Sequence, residues 1–315
     1  MSTAPLIDPL SDRTDVLQAS IEAVVHGKSA LVLHVLTALF AEGHVLLEDV
    51  PGVGKTTLGQ ALADASGCRF ARIQFTADLL PSDIVGVGVY DQAAARFRFH
   101  PGPVFANVVL ADEINRTPPR TQSSLLEAMN EGQVTVDGEV HPLPRPFCVV
   151  ATQNPQEHHG TFPLPESQMD RFLMRLTVGY PDVESERLLL RESALGPRRA
   201  ERVLDAESVV ALQARARAVR LHPDLEDYLL AVVRATRESA DLALGASPRA
   251  AQALARGARS RAMLLGRDHV VPDDLLALFE PVLAHRLRGA WAADGSAQRV
   301  EDVLEGIVAG VPLPR

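Results

Sequence analysis

Five short apolar runs punctuate the first 180 residues of the chain. They read HVLLE, FARIQF, NVVLAD, FCVVATQ and FLMRLTV. Runs of this length, bounded by polar or glycine residues, are typical of strands buried on both faces. Helical spacing of apolar residues lies between them, for example over residues 57–66, with Gly67 as a helix stop. The alternation predicts an α/β fold with a five-stranded parallel sheet and helices on both faces.

Two segments depart from this alternation. Residues 85–102, VGVGVYDQAAARFRFHPG, alternate around a polar centre, and residues 133–143, QVTVDGEVHPL, carry an Asp-Gly pair between two alternating stretches. A helix that opens at Pro118 and closes at Gly132 separates them. We predict two inserted β-hairpins rather than further strands of the sheet.

After the fifth run only helical patterns continue. They cover residues 183–192, 206–219, 223–238, 248–265 and 272–287. We therefore predict an α/β domain over residues 1–180 and a smaller all-helical domain over residues 181–315.

Composition narrows the class of protein. A chain of 315 residues with 46% hydrophobic and 23% charged side chains can bury a core and form two domains. No apolar run approaches the roughly 20 residues that span a bilayer, and the first residues lack a signal core, so we expect a cytoplasmic protein. Cys68 and Cys148 stand far apart beside strand-like sequence, which favours buried thiols over a disulfide or a metal pair.

Charge disfavours nucleic acid and membrane surfaces as partners. The net charge of -9 gives no attraction over the whole surface, although a local patch remains possible. Arginines cluster between residues 198 and 220, but they alternate with Ala, Leu and Glu, which favours solvated helix faces.

The segment EDVPGVGKTTL lies between a predicted strand and a predicted helix. It matches G-x-x-x-x-G-K-[ST] except that Asp49 replaces the first glycine. Backbone amides from Gly52 to Thr57 at a helix N-terminus suit a β-phosphate, Lys55 would neutralise β- and γ-oxygens, and Thr56 would ligate Mg²⁺. Lys55 is one of only two lysines in the chain. Binding survives the substitution if the Asp49 carboxylate points away from the phosphates; the alternative is a glycine-rich turn without a ligand.

Three polar residues end the next buried strands. Asp112 and Glu113 follow NVVLA, and a carboxylate there can hold the water shell of a metal while its neighbour polarises the attacking water. Asn154 follows FCVVATQ and suits orientation of that water or sensing of the γ-phosphate. Taken singly, they read as solvent-facing residues at strand ends.

Two arginines complete the candidate set. Arg171 precedes the fifth run, from which it could reach the γ-phosphate of a neighbouring subunit. Arg249 follows Ser247 and Pro248 at a helix start, where a cation opposes the helix dipole by about 0.3–1 kcal/mol unless an anion such as phosphate compensates. The alternative for both is a surface arginine.

Together these segments closely resemble the MoxR family of AAA+ ATPases over essentially the whole chain. The resemblance implies a P-loop AAA+ core with a helical lid, a Walker B pair in Asp112 and Glu113, sensor 1 in Asn154, an arginine finger acting in trans in Arg171, and sensor 2 in Arg249. The family often lacks the first loop glycine. Implied nucleotide-binding residues are Val25, Gly27, Pro51, Gly52, Val53, Gly54, Lys55, Thr56 and Thr57, with Val25 and Gly27 near the base and Thr56 and Asp112 at the metal.

The same resemblance implies a function. It suggests Mg²⁺-dependent ATP hydrolysis by a homo-oligomeric ring, a hexamer, with hairpins directed at the pore. It also suggests a chaperone that matures a client complex or inserts its metal cofactor, together with a von Willebrand factor A domain protein. A metal-chelatase motor subunit and a nucleic-acid motor remain alternatives. His158 and His159 fall where the family varies and read as solvated residues rather than metal ligands.

Overall fold

The computed structural model describes residues 12–50, 52–93, 95–154, 160–192, 198–293 and 299–314. Its strands are β1 Val45–Glu48, β2 Phe70–Gln74, β3 Gly86–Asp91, β4 Arg96–Pro101, β5 Val108–Asp112, β6 Gln133–Val136, β7 Glu139–Pro142, β8 Cys148–Gln153, β9 Met174–Leu176, β10 Leu242–Leu244 and β11 Arg288–Gly289.

The helices surround these strands in chain order. They are α1 Asp12–Glu22, α2 Ser29–Phe40, α3 Lys55–Ala65, α4 Pro81–Val85, α5 Pro119–Glu131, α6 Glu166–Met169, α7 Val183–Glu192, α8 Ala206–Ala218, α9 Pro223–Glu238, α10 Pro248–Leu264, α11 Pro272–Leu283 and α12 Val300–Gly310. Short 3-10 turns cover Ile114–Arg116, Ala284–Arg286 and Ala290–Ala293.

The five predicted strands form one parallel sheet in the order β2-β5-β8-β1-β9. The carboxyl ends of parallel strands meet at one edge, where ligands of open α/β sheets bind. β1 therefore delivers the glycine loop, β5 delivers Asp112, and β8 delivers Asn154 to the same edge. The predicted α/β fold is confirmed.

Alternating side chains of the central strands enter two hydrophobic cores. In β5, Val108 and Leu110 join the larger cluster, whereas Val109 and Ala111 join the smaller one. The larger cluster is completed by α1, α2, α3 and helices of the second half of the chain, and the smaller one by α5. Helices thus cover both faces of the sheet, as the continuous apolar runs predicted.

Both inserted hairpins are present and stand outside the central sheet. β3 and β4 pair antiparallel from Gly86 opposite Pro101 to Asp91 opposite Arg96, and β6 pairs with β7 around the Asp-Gly turn. The hairpins also touch each other, because the Phe99 ring stacks on His141 with centroids 3.9 Å apart.

The described residues of the second half of the chain are mainly helical, and they include one short antiparallel strand pair. α10 packs against α2, α8, α9 and α11. The prediction of a purely helical domain was wrong in one detail, because β10 pairs antiparallel with β11. Three residues carry too little periodicity to distinguish a strand from a helix end, and pairing with a distant segment decides the outcome. Residues from both predicted domains share the larger core, so the boundary at residue 180 remains a prediction.

Two further expectations concerned buried cysteine thiols and the lack of a membrane-spanning segment. Both cysteines are free thiols; Cys148 is buried, as expected, while Cys68 is only half-buried. Burial raises the pKa of the Cys148 thiol to about 12, so it stays protonated. Within the part of the chain that the structure describes, no helix is both long and apolar enough to cross a membrane.

Candidate nucleotide site

The glycine loop forms one wall of a cavity of about 420 Å³ at the carboxyl edge of the sheet. Gly52 and Gly54 have φ angles of 88° and 93°, in the left-handed region that favours glycine. α3 begins directly after Gly54, so its first unpaired amides face a position suited to an anion. The cavity is lined by Gly52, Gly54, Lys55, Thr56, Thr57, Arg72, Gln74, Asp112, Glu113 and Asn154.

Hydrogen bonds to backbone amides fix the Asp49 side chain at the substituted loop position. The Asp49 carboxylate accepts from the backbone amide of Val50 at 2.8 Å and from that of Gly179 at 2.5 Å. The Lys55 ammonium donates to the Asp49 carbonyl oxygen at 2.7 Å. The segment before α7 therefore holds the Asp49 carboxylate. This agrees with the sequence-based condition for a functional loop, which was that the carboxylate should point away from the phosphate position.

Lys55 lies among carboxylates. Burial lowers the pKa of the Lys55 ammonium, and the charges of Asp112, Asp49 and Glu113 oppose that shift. The cavity therefore presents one ammonium group between the loop amides and the acidic strand end, an arrangement that suits the oxygens of a polyphosphate carrying a metal ion.

Strand β2 orients both acids at the end of β5. Arg72 Nη2 donates to Asp112 Oδ2 at 2.6 Å and to Gln74 Oε1 at 2.9 Å. Gln74 Nε2 donates to Glu113 Oε2 at 3.0 Å. From the other side, the Thr152 hydroxyl donates to Asp112 Oδ1 at 2.7 Å.

The backbone at Glu113 is also unusual. Its φ of 57° is left-handed, which costs a non-glycine residue about 1–3 kcal/mol. The Glu113 amide donates to the Thr152 hydroxyl at 2.9 Å, which holds this turn in place. The turn, Gln74 and the Arg116 guanidinium, whose Nε lies 3.1 Å from Glu113 Oε2, together fix the direction of the Glu113 carboxylate.

Arg72 and Gln74 were missed by sequence reasoning. We interpreted FARIQF as a strand buried on both faces, but β2 is an edge strand on which Arg72 and Gln74 are exposed and alternate with the buried Ile73. Two polar side chains at alternate positions near the carboxyl end of a strand were the available signal.

The donor set is compatible with Mg²⁺. The Thr56 hydroxyl and the Asp112 carboxylate border the same cavity, and Mg²⁺ prefers such oxygen ligands together with substrate phosphates. These two residues would hold the ion, which would neutralise charge on the phosphate oxygens. Asn154 borders the cavity and is buried, at the start of the segment after β8.

Three predicted nucleotide-binding residues do not line the cavity. Val53 is half-buried against the larger core, and Val25 is buried within it. Gly27 has a φ of 69°, and a β-carbon there would lie 2.5 Å from Ser185 Oγ at α7. Their contacts with a base remain predictions. Pro51, His158 and His159 lie outside the described residues.

Arg171 and Arg249 border a different cavity, of about 530 Å³. Arg171 Nη1 donates to the Leu126 carbonyl oxygen at 2.5 Å. Arg249 is exposed in the first turn of α10, whose N-cap Ser247 accepts from the Ala250 amide at 3.2 Å. The structure thus brings the loop, the two acids and Asn154 together, and separately brings the two arginines together.

Comparisons with known proteins agree with this geometry. Residues 44–174 match the family described as ATPase family associated with various cellular activities (AAA), and residues 234–307 match the AAA lid domain. The chaperone MoxR1 of Mycobacterium tuberculosis is 42% identical over 304 residues, which cover 94% of this chain and 81% of the relative. The chain belongs to the MoxR family of AAA+ ATPases.

Two further matches support this MoxR-family assignment along the whole chain. The uncharacterized protein YeaC of Bacillus subtilis is 46% identical over 296 residues, covering 93% of this chain and 92% of YeaC. A crystal structure of a candidate ATPase from Cytophaga hutchinsonii superposes with a TM-score of 0.90 at 36% identity, covering 97% of this chain and 96% of that one. The first matched region contains the glycine loop, the two acids and Asn154 of the cavity, and it also contains Arg171. The matched lid region contains Arg249.

Proposed function

We propose that this MoxR-family protein hydrolyses ATP in a site shared between neighbouring subunits of a ring. The observation that carries the proposal is the separation of the candidate residues into two cavities on one chain. One cavity offers loop amides, Lys55 and two carboxylates, and the other offers Arg171 and Arg249. A site that needs both sets is completed only when the second cavity of one subunit faces the first cavity of the next.

Each residue of the first cavity has a role in this proposal. Loop amides and Lys55 bind the β- and γ-phosphates, while Thr56 and Asp112 hold Mg²⁺. Glu113 takes the proton of the attacking water, and Asn154 orients that water. Gln74 and Arg116 hold the Glu113 carboxylate, with contacts of 3.0 Å and 3.1 Å, so the base is positioned before nucleotide binds.

A site that takes residues from two neighbouring subunits requires an oligomer. An interface that joins two different surfaces is heterologous, and repetition of it closes into a ring when the rotation allows. By family likeness we propose a hexamer. Arg171 would approach the γ-phosphate from the neighbour, and Arg249 would enter the same interface from the lid, so hydrolysis would change the angle between core and lid.

The output we propose is mechanical work on a client protein. The relative MoxR1 carries the name chaperone, and the family resemblance suggests a client complex and a von Willebrand factor A domain partner. The hairpin side chains Tyr90 and Phe97 are 52% and 71% exposed, which suits contact with a polypeptide. Their exposure supports the hairpins as the client-facing elements.

Affinity capture with two variants tests the function. Glu113→Gln should bind ATP without cleaving it, and Lys55→Ala should not bind it. With ATP, the Glu113→Gln protein is expected to enrich a specific protein that the Lys55→Ala protein does not. Equal enrichment by both would contradict nucleotide-driven client engagement, and ATP hydrolysis at the wild-type rate by Lys55→Ala would contradict the assigned site.

A further inference from the structure

One face of α10 carries three arginines and a glutamine. Arg249, Gln252, Arg256 and Arg259 follow one another at spacings of three, four and three residues, which places them on one side of a helix. All four border the cavity of about 530 Å³ that Arg171 borders from the core. Arg256 is an exposed residue on this face, and partial desolvation lowers the pKa of its guanidinium while the charge of Glu42 opposes that shift.

Nearby carboxylates are occupied by other arginines. Arg286, deeper in the same cavity, pairs with Asp170 at 3.0 Å, and Arg259 lies 3.9 Å from Glu226. Glu42, the remaining acid on the cavity wall, is bound by Arg217.

Among the described residues, three guanidinium groups have no carboxylate at ion-pair distance, although the charge of Glu42 acts on Arg256 from farther away. Over the described ranges, no ion pair joins Arg171, Arg249 or Arg256 to a carboxylate. Like charges gathered around one cavity repel each other, and the repulsion is relieved by an anion of several charges.

We infer that Arg256 binds the triphosphate of the neighbouring subunit together with Arg171 and Arg249, an inference that rests on the proposed shared site. A triphosphate supplies several negative charges and oxygens suited to the forked donors of arginine. Seven residues advance about 10 Å along a helix, so Arg256 contacts the phosphate chain at a point separate from Arg249. The site therefore takes three cations from the neighbour.

The inference is tested on the full chain with Arg256→Ala and Arg256→Lys. Arg256→Ala is expected to lower ATP turnover roughly tenfold or more, and Arg256→Lys to restore part of it. Addition of Lys55→Ala subunits, which supply an intact Arg256, is expected to raise the activity of Arg256→Ala. Arg234→Ala is the matched control, because Arg234 lies exposed on α9, 4.0 Å from Glu238 and outside the cavity lining.

Four results would overturn the inference. Arg256→Ala at the wild-type rate, with Arg171→Ala inactive, would remove Arg256 from the site and leave the shared site intact. Wild-type turnover by Arg171→Ala as well would refute the shared site itself. No gain on mixing would place the action of Arg256 within its own subunit. Weaker assembly with unchanged turnover per assembled ring would identify the occupant as a carboxylate of the neighbour instead of its nucleotide.

Discussion

The carboxylate of Asp49 accepts a hydrogen bond from the backbone amide of Gly179, with an oxygen–nitrogen distance of 2.5 Å. Asp49 stands where the general phosphate loop has its first glycine, and Gly179 lies in the segment between β9 and α7. The substitution therefore joins the loop to the chain that leads from the sheet into the later helices. It adds a structural contact, and Asp49 is not among the residues that line the cavity of the glycine loop.

We expect Asp49→Gly to destabilise the protein although it restores the general loop pattern. The variant leaves the amides of Val50 and Gly179 without their acceptor, at a cost of about 1–3 kcal/mol. Urea unfolding of the two proteins measures this difference. Asp49→Asn keeps one acceptor oxygen and should lose less stability, whereas an Asp49→Gly protein as stable as the wild type would contradict the role given to the carboxylate.

Gln74→Ala should impair hydrolysis more than ATP binding. Without the Gln74 amide, the Glu113 carboxylate loses a partner at 3.0 Å and keeps the ion pair with Arg116 at 3.1 Å, so its direction toward the attacking water is less well fixed. Misplacement of a catalytic group can lower turnover by roughly ten- to a hundredfold. Turnover and nucleotide affinity are measured on the same preparation, with Gln60→Ala as control because Gln60 pairs with Asp64 on α3, outside the cavity. Equal losses in affinity and turnover would assign Gln74 to binding instead.

The buried His44 predicts a stability that falls in acid. Its Nδ1 accepts from the Val149 amide at 3.0 Å, its Nε2 donates to the Met129 carbonyl oxygen at 3.1 Å, and burial lowers its pKa from 6.5 to about 4. Between these two values the unfolded chain binds a proton that the folded chain excludes. Stability is therefore lost as the pH falls from 6.5 toward 4, by up to roughly 3 kcal/mol for this group.

Urea unfolding across that pH range tests the role of His44. His44→Gln, which cannot take up the proton, should show a shallower loss of unfolding free energy with falling pH than the wild type. Its stability at pH 7 will be lower, so the slope rather than the absolute value is compared. Identical slopes would show that His44 does not contribute to acid sensitivity.

Most of the core architecture was predictable because burial on both faces leaves continuous apolar runs. The polar residues at the strand ends could be placed for the same reason, since parallel strands bring Asp112 and Asn154 to one edge. Arg72 and Gln74 were not predicted, because the apolar residues of β2 suggested a strand buried on both faces. β2 is instead an edge strand, and one of its faces is exposed. The β10–β11 pair depends on a contact between distant segments, which local periodicity does not encode.

The local sequence suggested an anion near Arg249 and a neighbouring subunit within reach of Arg171, but the specific roles proposed for them come from the family resemblance. Helix-start chemistry singled out Arg249, but nothing in the local sequence connects it with Arg171, 78 residues earlier by numbering. Folding brings both to one cavity, which is separate from the cavity that the glycine loop lines.

The most direct test of the shared site is the ATPase rate of a mixture of Arg171→Ala and Lys55→Ala subunits. Each variant alone should be inactive, because each lacks one half of every site. In an equal mixture with random assembly, about one quarter of the sites combine an intact loop with an intact Arg171, so activity should return toward that fraction of the wild-type rate. A mixture that assembles but hydrolyses ATP no faster than the two variants measured separately would contradict the account.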